Sequence, residues 1–125
     1  MKGMGILNQM ESVFMIGGES WCVYSYDVNS KELIDVWVVG LSITAIAWIS
    51  LEDGGFIVAV GTEEGKIAIR QDWEELTRRN EWGSAQILDI QFSKTGTLIA
   101  VASQDQSVYL LEFKDTEYQP LVGIK

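Results

Sequence analysis

The chain has 125 residues, with 18 acidic and 9 basic side chains, a formal net charge of −9 at pH 7 and no histidine. The acid excess argues against binding to nucleic acid or an anionic membrane surface, because both attract clustered Lys and Arg. Without histidine there is no His-dependent catalytic triad and no HExxH zinc site. The size fits one domain or part of one, and the single cysteine, Cys22, indicates a reducing, cytoplasmic compartment.

Neither a secretory leader nor a membrane span is predicted. Residues 1–9 contain no unbroken apolar run long enough for a signal-peptide core. The segment Val36–Leu51 is uncharged, but it is shorter than the roughly 20 residues that cross a bilayer, and it contains Gly, Ser and Thr. We interpret it as two strands joined by a short loop.

Short runs of β-branched and aromatic residues recur along the chain between clusters of Gly, Asp, Glu and Ser, which predicts successive antiparallel strands. A helix competes only at Asp72–Arg79, which we interpret as a turn entering a strand. No innermost strand is expected before Ser12. The predicted strands, the last of them the weakest, are Ser12–Ile16, Cys22–Tyr26, Leu33–Val39, Ile43–Ile49, Phe56–Gly61, Lys66–Gln71, Glu75–Arg79, Ile87–Phe92, Leu98–Ala102, Ser107–Phe113 and Leu121–Ile124.

An internal repeat organises these strands. Segments beginning at Phe14, Val58 and Ala100 share one form, in which an apolar strand, a small residue, an acidic or amide turn and a second apolar strand follow each other. A spacing of about 41 to 44 residues with four short strands per unit is typical of β-propeller blades. The fold class expected is therefore all-β, with about three four-stranded antiparallel blades at residues 12–40, 41–83 and 84–125 in a single partial propeller.

Residues 87–111 resemble a WD-repeat blade, on the strength of their Phe-Ser-x-x-Gly-x-Leu-Ile-Ala-Val-Ala-Ser core and the turn residue Asp105. Within the WD-repeat superfamily the chain is most similar to blades of the echinoderm microtubule-associated protein-like (EMAP-like) group, in which a Gly-Thr-x-x-Gly-x blade, here Gly61–Lys66, precedes a blade that ends in a Tyr-containing strand like Val108–Leu111. The resemblance covers roughly residues 12–113. The chain departs from the family because it lacks Gly-His and Trp-Asp dipeptides, and only the third blade keeps the turn Asp. The resemblance implies a non-catalytic protein-interaction scaffold, with tubulin or a microtubule as the implied partner and a cytoplasmic, cytoskeletal or ciliary location.

The candidate partner-binding residues lie in predicted loops. Trp82 follows Arg78 and Arg79 where one blade leads into the next, and an exposed Trp beside Arg is typical of an interface hot spot, although the indole could instead pack under its own loop. Glu63 and Glu64 are further loop candidates, with solvated surface charge as the alternative. No catalytic, cofactor or metal residues are predicted.

The remaining candidate side chains have structural interpretations. Asp105 is expected to fix a tight turn by accepting backbone N–H bonds. Aromatic residues at repeat-equivalent strand positions are expected to pack between blades, and two further indoles in turns are weaker contact candidates. The strand aromatics are Tyr24, Trp48, Phe92 and Tyr109, and the turn indoles are Trp21 and Trp73.

Three blades do not close a ring, since propellers have typically four to eight. The chain is therefore expected to be a fragment of a larger propeller, or to be completed by another chain or by further copies of itself. The alternative function is a small-ligand or cation binder, or a hydrolase, that uses carboxylates at the mouth of a propeller channel.

Overall fold

The computed structural model describes residues 6–10, 13–17, 21–40, 42–52, 55–79, 84–114 and 117–124. Twelve strands and no helix occur in these ranges, and each strand pairs antiparallel with the next one in its sheet. The first sheet contains β1 (Ile6–Met10), β2 (Val13–Gly17), β3 (Cys22–Asp27) and β4 (Leu33–Val38). The second contains β5 (Ile43–Ser50), β6 (Phe56–Thr62), β7 (Ile67–Gln71) and β8 (Glu74–Arg79). The third contains β9 (Ile87–Phe92), β10 (Leu98–Ser103), β11 (Val108–Lys114) and β12 (Glu117–Ile124).

The predicted fold class is confirmed: three four-stranded antiparallel sheets of the kind that form WD-type propeller blades make up the described chain. One expectation is wrong, because β1 precedes Ser12 and pairs with β2 along its whole length. The segment Asp72–Arg79 is a turn entering strand β8, as predicted. Val36–Leu51 contains the end of β4 and all of β5, and within the described ranges no helix is long and apolar enough to span a membrane.

The strand registers show that the three sheets are structural repeats. In each sheet, the residue five positions before the positive-φ residue of the next turn lies on the second strand and pairs with one residue of the first strand and one of the third. The triplets are Leu7–Ile16–Tyr24, Ile46–Val60–Ala68 and Ile90–Val101–Tyr109. Equivalent side chains of different sheets can therefore be compared position by position.

One position in the turn between the second and third strands repeats its backbone conformation in all three sheets. A residue with positive φ occurs there: Trp21 at 66°, Gly65 at 84° and Gln106 at 72°. Glycine adopts this left-handed region at little cost, whereas a residue with a side chain is disfavoured there. This position therefore keeps its conformation although its residue type differs.

The second sheet is packed on both sides. We call the face of a sheet that points toward the next sheet in the chain its forward face, and the opposite face its backward face. Ile57 and Ala59 belong to an apolar cluster with the third sheet, whereas Val58 and Val60 belong to a cluster with the first sheet. Alternate residues of β6 thus serve two different interfaces.

The predicted core aromatics are only half-buried. Trp48 packs at the margin of the cluster between the first and second sheets, and Phe92 and Tyr109 pack at the margin of the cluster between the second and third. The deeply buried aromatic residues are Trp37 on β4 and Tyr118 on β12. Both lie on outermost strands, where the repeat comparison had no aligned counterpart.

Candidate functional site

A charged and aromatic cluster lies between the first and second sheets, and it begins with Arg70. β7 has the sequence Ile-Ala-Ile-Arg-Gln, so Arg70 shares the backward face with Ala68, whose small side chain leaves room beside it. Arg70 is 2% exposed. Its Nη1 donates a 2.8 Å hydrogen bond to Oδ2 of Asp35 on β4, which forms an ion pair across the two sheets.

Two tryptophans enclose this guanidinium. The Cζ atom of Arg70 lies 4.6 Å from the ring centroid of Trp37 and 5.1 Å from that of Trp73. Trp73 also contacts Phe56 edge to face, with the centroids 5.0 Å apart. A guanidinium between aromatic faces is stabilised by cation–π attraction, which is stronger where water is excluded. The stack fixes the position of Trp73, which remains 43% exposed.

A second set of polar contacts extends the cluster along β8. The indole Nε1 of Trp37 donates to Oε1 of Glu75 at 3.0 Å. Arg78 donates from Nε and Nη2 to the same carboxylate, at 3.0 and 2.6 Å, and from Nη1 to the carbonyl oxygen of Val39 at 2.5 Å. We call the whole cluster the seam; it comprises Asp35, Trp37, Arg70, Trp73, Glu75 and Arg78.

The contacts of the seam favour the charged forms of Glu75 and Arg78. The hydrogen bonds from Arg78 lower the pKa of Glu75, with a further contribution from Trp37, and the Glu75 carboxylate raises the pKa of Arg78. Burial lowers the pKa of Arg70, and the hydrogen bond and charge of Asp35 oppose that effect. Nε and Nη2 of Arg70 have no hydrogen-bond partner among the described residues, so Asp35 is the main compensation for this buried charge.

The partner-binding residues predicted from the sequence lie in different parts of the molecule. Arg78 lies in the seam, where its guanidinium is already engaged. Trp82 and the side chain of Arg79 lie outside the described residues. Glu63 and Glu64 are exposed on the β6–β7 turn, and the backbone N–H of Glu63 donates to the carbonyl of the loop residue Ser42 at 2.9 Å.

Asp105 organises the β10–β11 turn. Its Oδ1 accepts the backbone N–H of Ser107 at 2.9 Å, and its Oδ2 accepts the hydroxyl of Tyr109 at 2.8 Å. These hydrogen bonds, led by the one from Tyr109, lower the pKa of Asp105. The geometry is that of a carboxylate that closes a turn around its own chain.

The groove between the second and third sheets carries no carboxylate among the described residues. A groove of about 360 Å³ separates the innermost strands β5 and β9, and its lining runs from Ile46 to Ile49 and from Ile90 to Lys94 without an acidic residue. No group of three or more Cys, Asp or Glu residues in these ranges is arranged to hold a metal ion.

Sequence reasoning missed most of the seam. Asp35, Trp37, Arg70 and Glu75 are far apart in the chain, and none lies in the segments that the sequence repeat aligned. One signal was present, because Arg70 directly follows the apolar run Ile-Ala-Ile in a predicted strand. A charged residue in such a strand indicates a buried partner.

No protein-family model matches the chain. A protein of Schizosaccharomyces pombe is 27% identical over 103 residues, which cover 81% of this chain. It is described as an uncharacterized WD repeat-containing protein. This similarity supports the WD-repeat resemblance in general and does not distinguish the EMAP-like group. The chain spans 17% of the length of that relative.

Proposed function

We propose that the chain is part of a WD-type propeller that acts as a non-catalytic scaffold and binds another protein. The repeated four-stranded sheets and the WD-repeat relative support the scaffold class. The observation that carries the proposal is the exposed, immobilised indole of Trp73 at the seam. A rigid aromatic side chain loses little conformational freedom on binding, which is why Trp is frequent among interface hot spots.

The surroundings of Trp73 suit an apolar contact. Leu33 and Ile34, at the start of β4, are 52% and 47% exposed, and Asp35 follows them directly. Asp35 pairs with Arg70, and Arg70 stacks on Trp73, so the seam connects β4 of the first sheet to the turn that carries Trp73 in the second. A partner that covers Trp73 and extends to the start of β4 would contact apolar side chains of both sheets.

For the partner, we propose tubulin or another microtubule-associated protein in the cytoplasm, the cytoskeleton or a cilium. The support is the resemblance to EMAP-like blades. The net charge of −9 opposes docking on an acidic microtubule surface, so the contact has to be apolar rather than ionic. Trp82, in the loop between the second and third sheets, remains a second candidate contact.

Binding of purified tubulin to the wild-type chain and to three single variants tests this proposal. We expect Trp73→Ala to weaken binding by at least about 30-fold, equivalent to about 2 kcal/mol, as for a hot-spot residue. The control is Leu121→Ala, which removes an apolar side chain that is 53% exposed on β12 of the third sheet, outside the seam. Trp82→Ala tests the loop.

The melting temperature of each variant separates a binding defect from a folding defect. The seam proposal is wrong if Trp73→Ala binds tubulin as the wild type does, or if its loss of binding only follows its loss of stability. A wild-type chain that does not bind tubulin at all contradicts the proposed partner. Unchanged binding by Trp82→Ala shows that the loop of Trp82 is not a contact site.

A further inference from the structure

Two sheet faces have no neighbouring sheet in the described part of the molecule: the forward face of the third sheet and the backward face of the first. On the third sheet, Val108 is 40% exposed, whereas its repeat equivalent on the second sheet, Ile67, is fully buried. On the first sheet, Val36 and Val38 are 41% and 65% exposed, although Trp37 between them is buried. Apolar faces of this kind are typical of surfaces that pack against another element.

The open forward face of the third sheet repeats the forward face of the second. The second sheet presents Ala59 and Gly61 beside larger aliphatic residues, and a Cβ atom on Gly61 would overlap the side chain of Ile87. The small residues therefore form a depression that receives the third sheet. At the equivalent places the third sheet has Leu98 for Ile57, Ala100 for Ala59, Ala102 for Gly61, Val108 for Ile67 and Leu110 for Ile69. A depression of about 230 Å³ lies over Ala100, Ala102 and Val108.

The open backward face of the first sheet resembles the side that fills such a depression. Tyr24 on β3 is the register equivalent of Tyr109, which packs against the cluster between the second and third sheets. Tyr24 pairs with Val36, and Cys22 pairs with Val38, so these four side chains share one face. The two open faces thus have the same character as the two sides of an interface that already exists in the molecule.

We propose that the first sheet of one copy of this chain packs on the third sheet of a second copy, and that the same contact made in the other direction closes a ring of six sheets. Each copy carries both complementary faces, so in a pair of copies each open face is covered by the complementary face of the other copy. Six sheets fall within the usual range of four to eight for a propeller. The contact differs from the internal one at Asp89 and Gln91, which also line the depression on the third sheet and replace Ala45 and Ala47 of the second.

Sedimentation equilibrium of the purified chain tests the proposal without any other protein. We expect a single species of about twice the 14.0 kDa chain mass. Ala100→Arg and Val36→Arg each place a charge in one side of the contact, and each is expected to raise the dimer dissociation constant by at least about 30-fold. Gln104→Arg, on the exposed β10–β11 turn, is the matched control and leaves the constant unchanged.

Mixing the two arginine variants supplies the decisive comparison. One of the two contacts in the mixed dimer is wild type on both sides, so the mixture is expected to associate more tightly than either variant alone. Recovery in the mixture also shows that both variants fold. A wild-type monomer, which would leave the faces to a sheet of another protein, overturns the proposal. A ladder of growing masses, a dimer insensitive to either variant, or a mixture no tighter than its parts also overturns it.

Discussion

The two interfaces within this chain share one architecture and differ in chemistry. Between the second and third sheets, aliphatic residues pack around Tyr118, whose hydroxyl donates to the carbonyl of Gly96 and whose backbone N–H donates to Oγ1 of Thr77. Between the first and second sheets, the seam holds a buried guanidinium between two indoles and against a carboxylate. The stability of the apolar interface depends on tight packing, whereas the stability of the seam depends on compensation of the charge that it buries.

The largest effect is expected where the apolar interface loses volume. Tyr118 is fully buried and packs against Phe92 and Phe113, with ring centroids 6.5 and 5.1 Å away. Tyr118→Ala is expected to lower the free energy of unfolding by about 4 kcal/mol in urea titrations. Tyr118→Phe keeps the ring and is expected to cost about 1 kcal/mol. Equal losses in the two variants would show that the hydroxyl, not the ring, stabilises this interface.

The second-largest loss of stability is expected when the buried charge of the seam loses its partner. Asp35→Ala leaves the Arg70 guanidinium buried without its partner, and we expect a loss of about 2 to 3 kcal/mol, less than for a fully buried pair because the Asp35 side chain is 32% exposed. Replacing both residues, as Asp35→Leu with Arg70→Met, is expected to restore stability to within about 1 kcal/mol of the wild type. A double variant as unstable as Asp35→Ala contradicts this account. Glu64→Ala, on an exposed turn, is the control.

A smaller loss is expected where the apolar interface is overfilled. The Cβ of a Gly61→Ala variant would overlap the side chain of Ile87, so we expect a cost of about 2 kcal/mol in thermal or chemical denaturation. Ile87→Ala removes Cγ1 and Cγ2, which are two of the three atoms that this Cβ would meet, so Gly61→Ala is expected to cost less in the Ile87→Ala background than in the wild type. Additive losses in the double variant would show that the cost of Gly61→Ala does not arise from contact with Ile87.

The smallest expected effect is a loss of stability at alkaline pH, which comes from Tyr118 in the apolar interface. Burial raises the pKa of Tyr118 to about 12, above the value near 10 of an unfolded tyrosine. The unfolded chain therefore loses this proton first, so the contribution of Tyr118 is complete below about pH 10 and disappears as the pH rises to about 12. We expect the stability difference between the wild type and Tyr118→Phe to shrink across this interval. A constant difference would show that the hydroxyl is not buried.

Much of the fold follows from local sequence patterns. Alternating apolar residues and the recurrence of a small residue before the turn, at Gly17, Gly61 and Ala102, predict the sheets and their four-strand units. β1 was missed because Ile-Leu-Asn-Gln-Met has no alternation of apolar and polar residues.

The seam could not be predicted in the same way. Asp35 and Arg70 are 35 residues apart, and Trp37 and Glu75 are 38 apart. Their contacts depend on how two sheets dock, which no local pattern encodes. The apolar interface was easier, because its residues recur with the repeat, although Tyr118 was not recognised as its largest buried side chain.

The connectivity of the sheets has a consequence for folding. Every described strand pairs only with its neighbours along the chain, so each sheet is a meander whose turns close short loops. Short loop closures cost little entropy and speed the formation of contacts. A sheet can therefore form as soon as its four strands leave the ribosome, before the following sheet has been synthesised. Docking of successive sheets then proceeds in the order of translation, and the second sheet is covered on both faces only once the third sheet has formed.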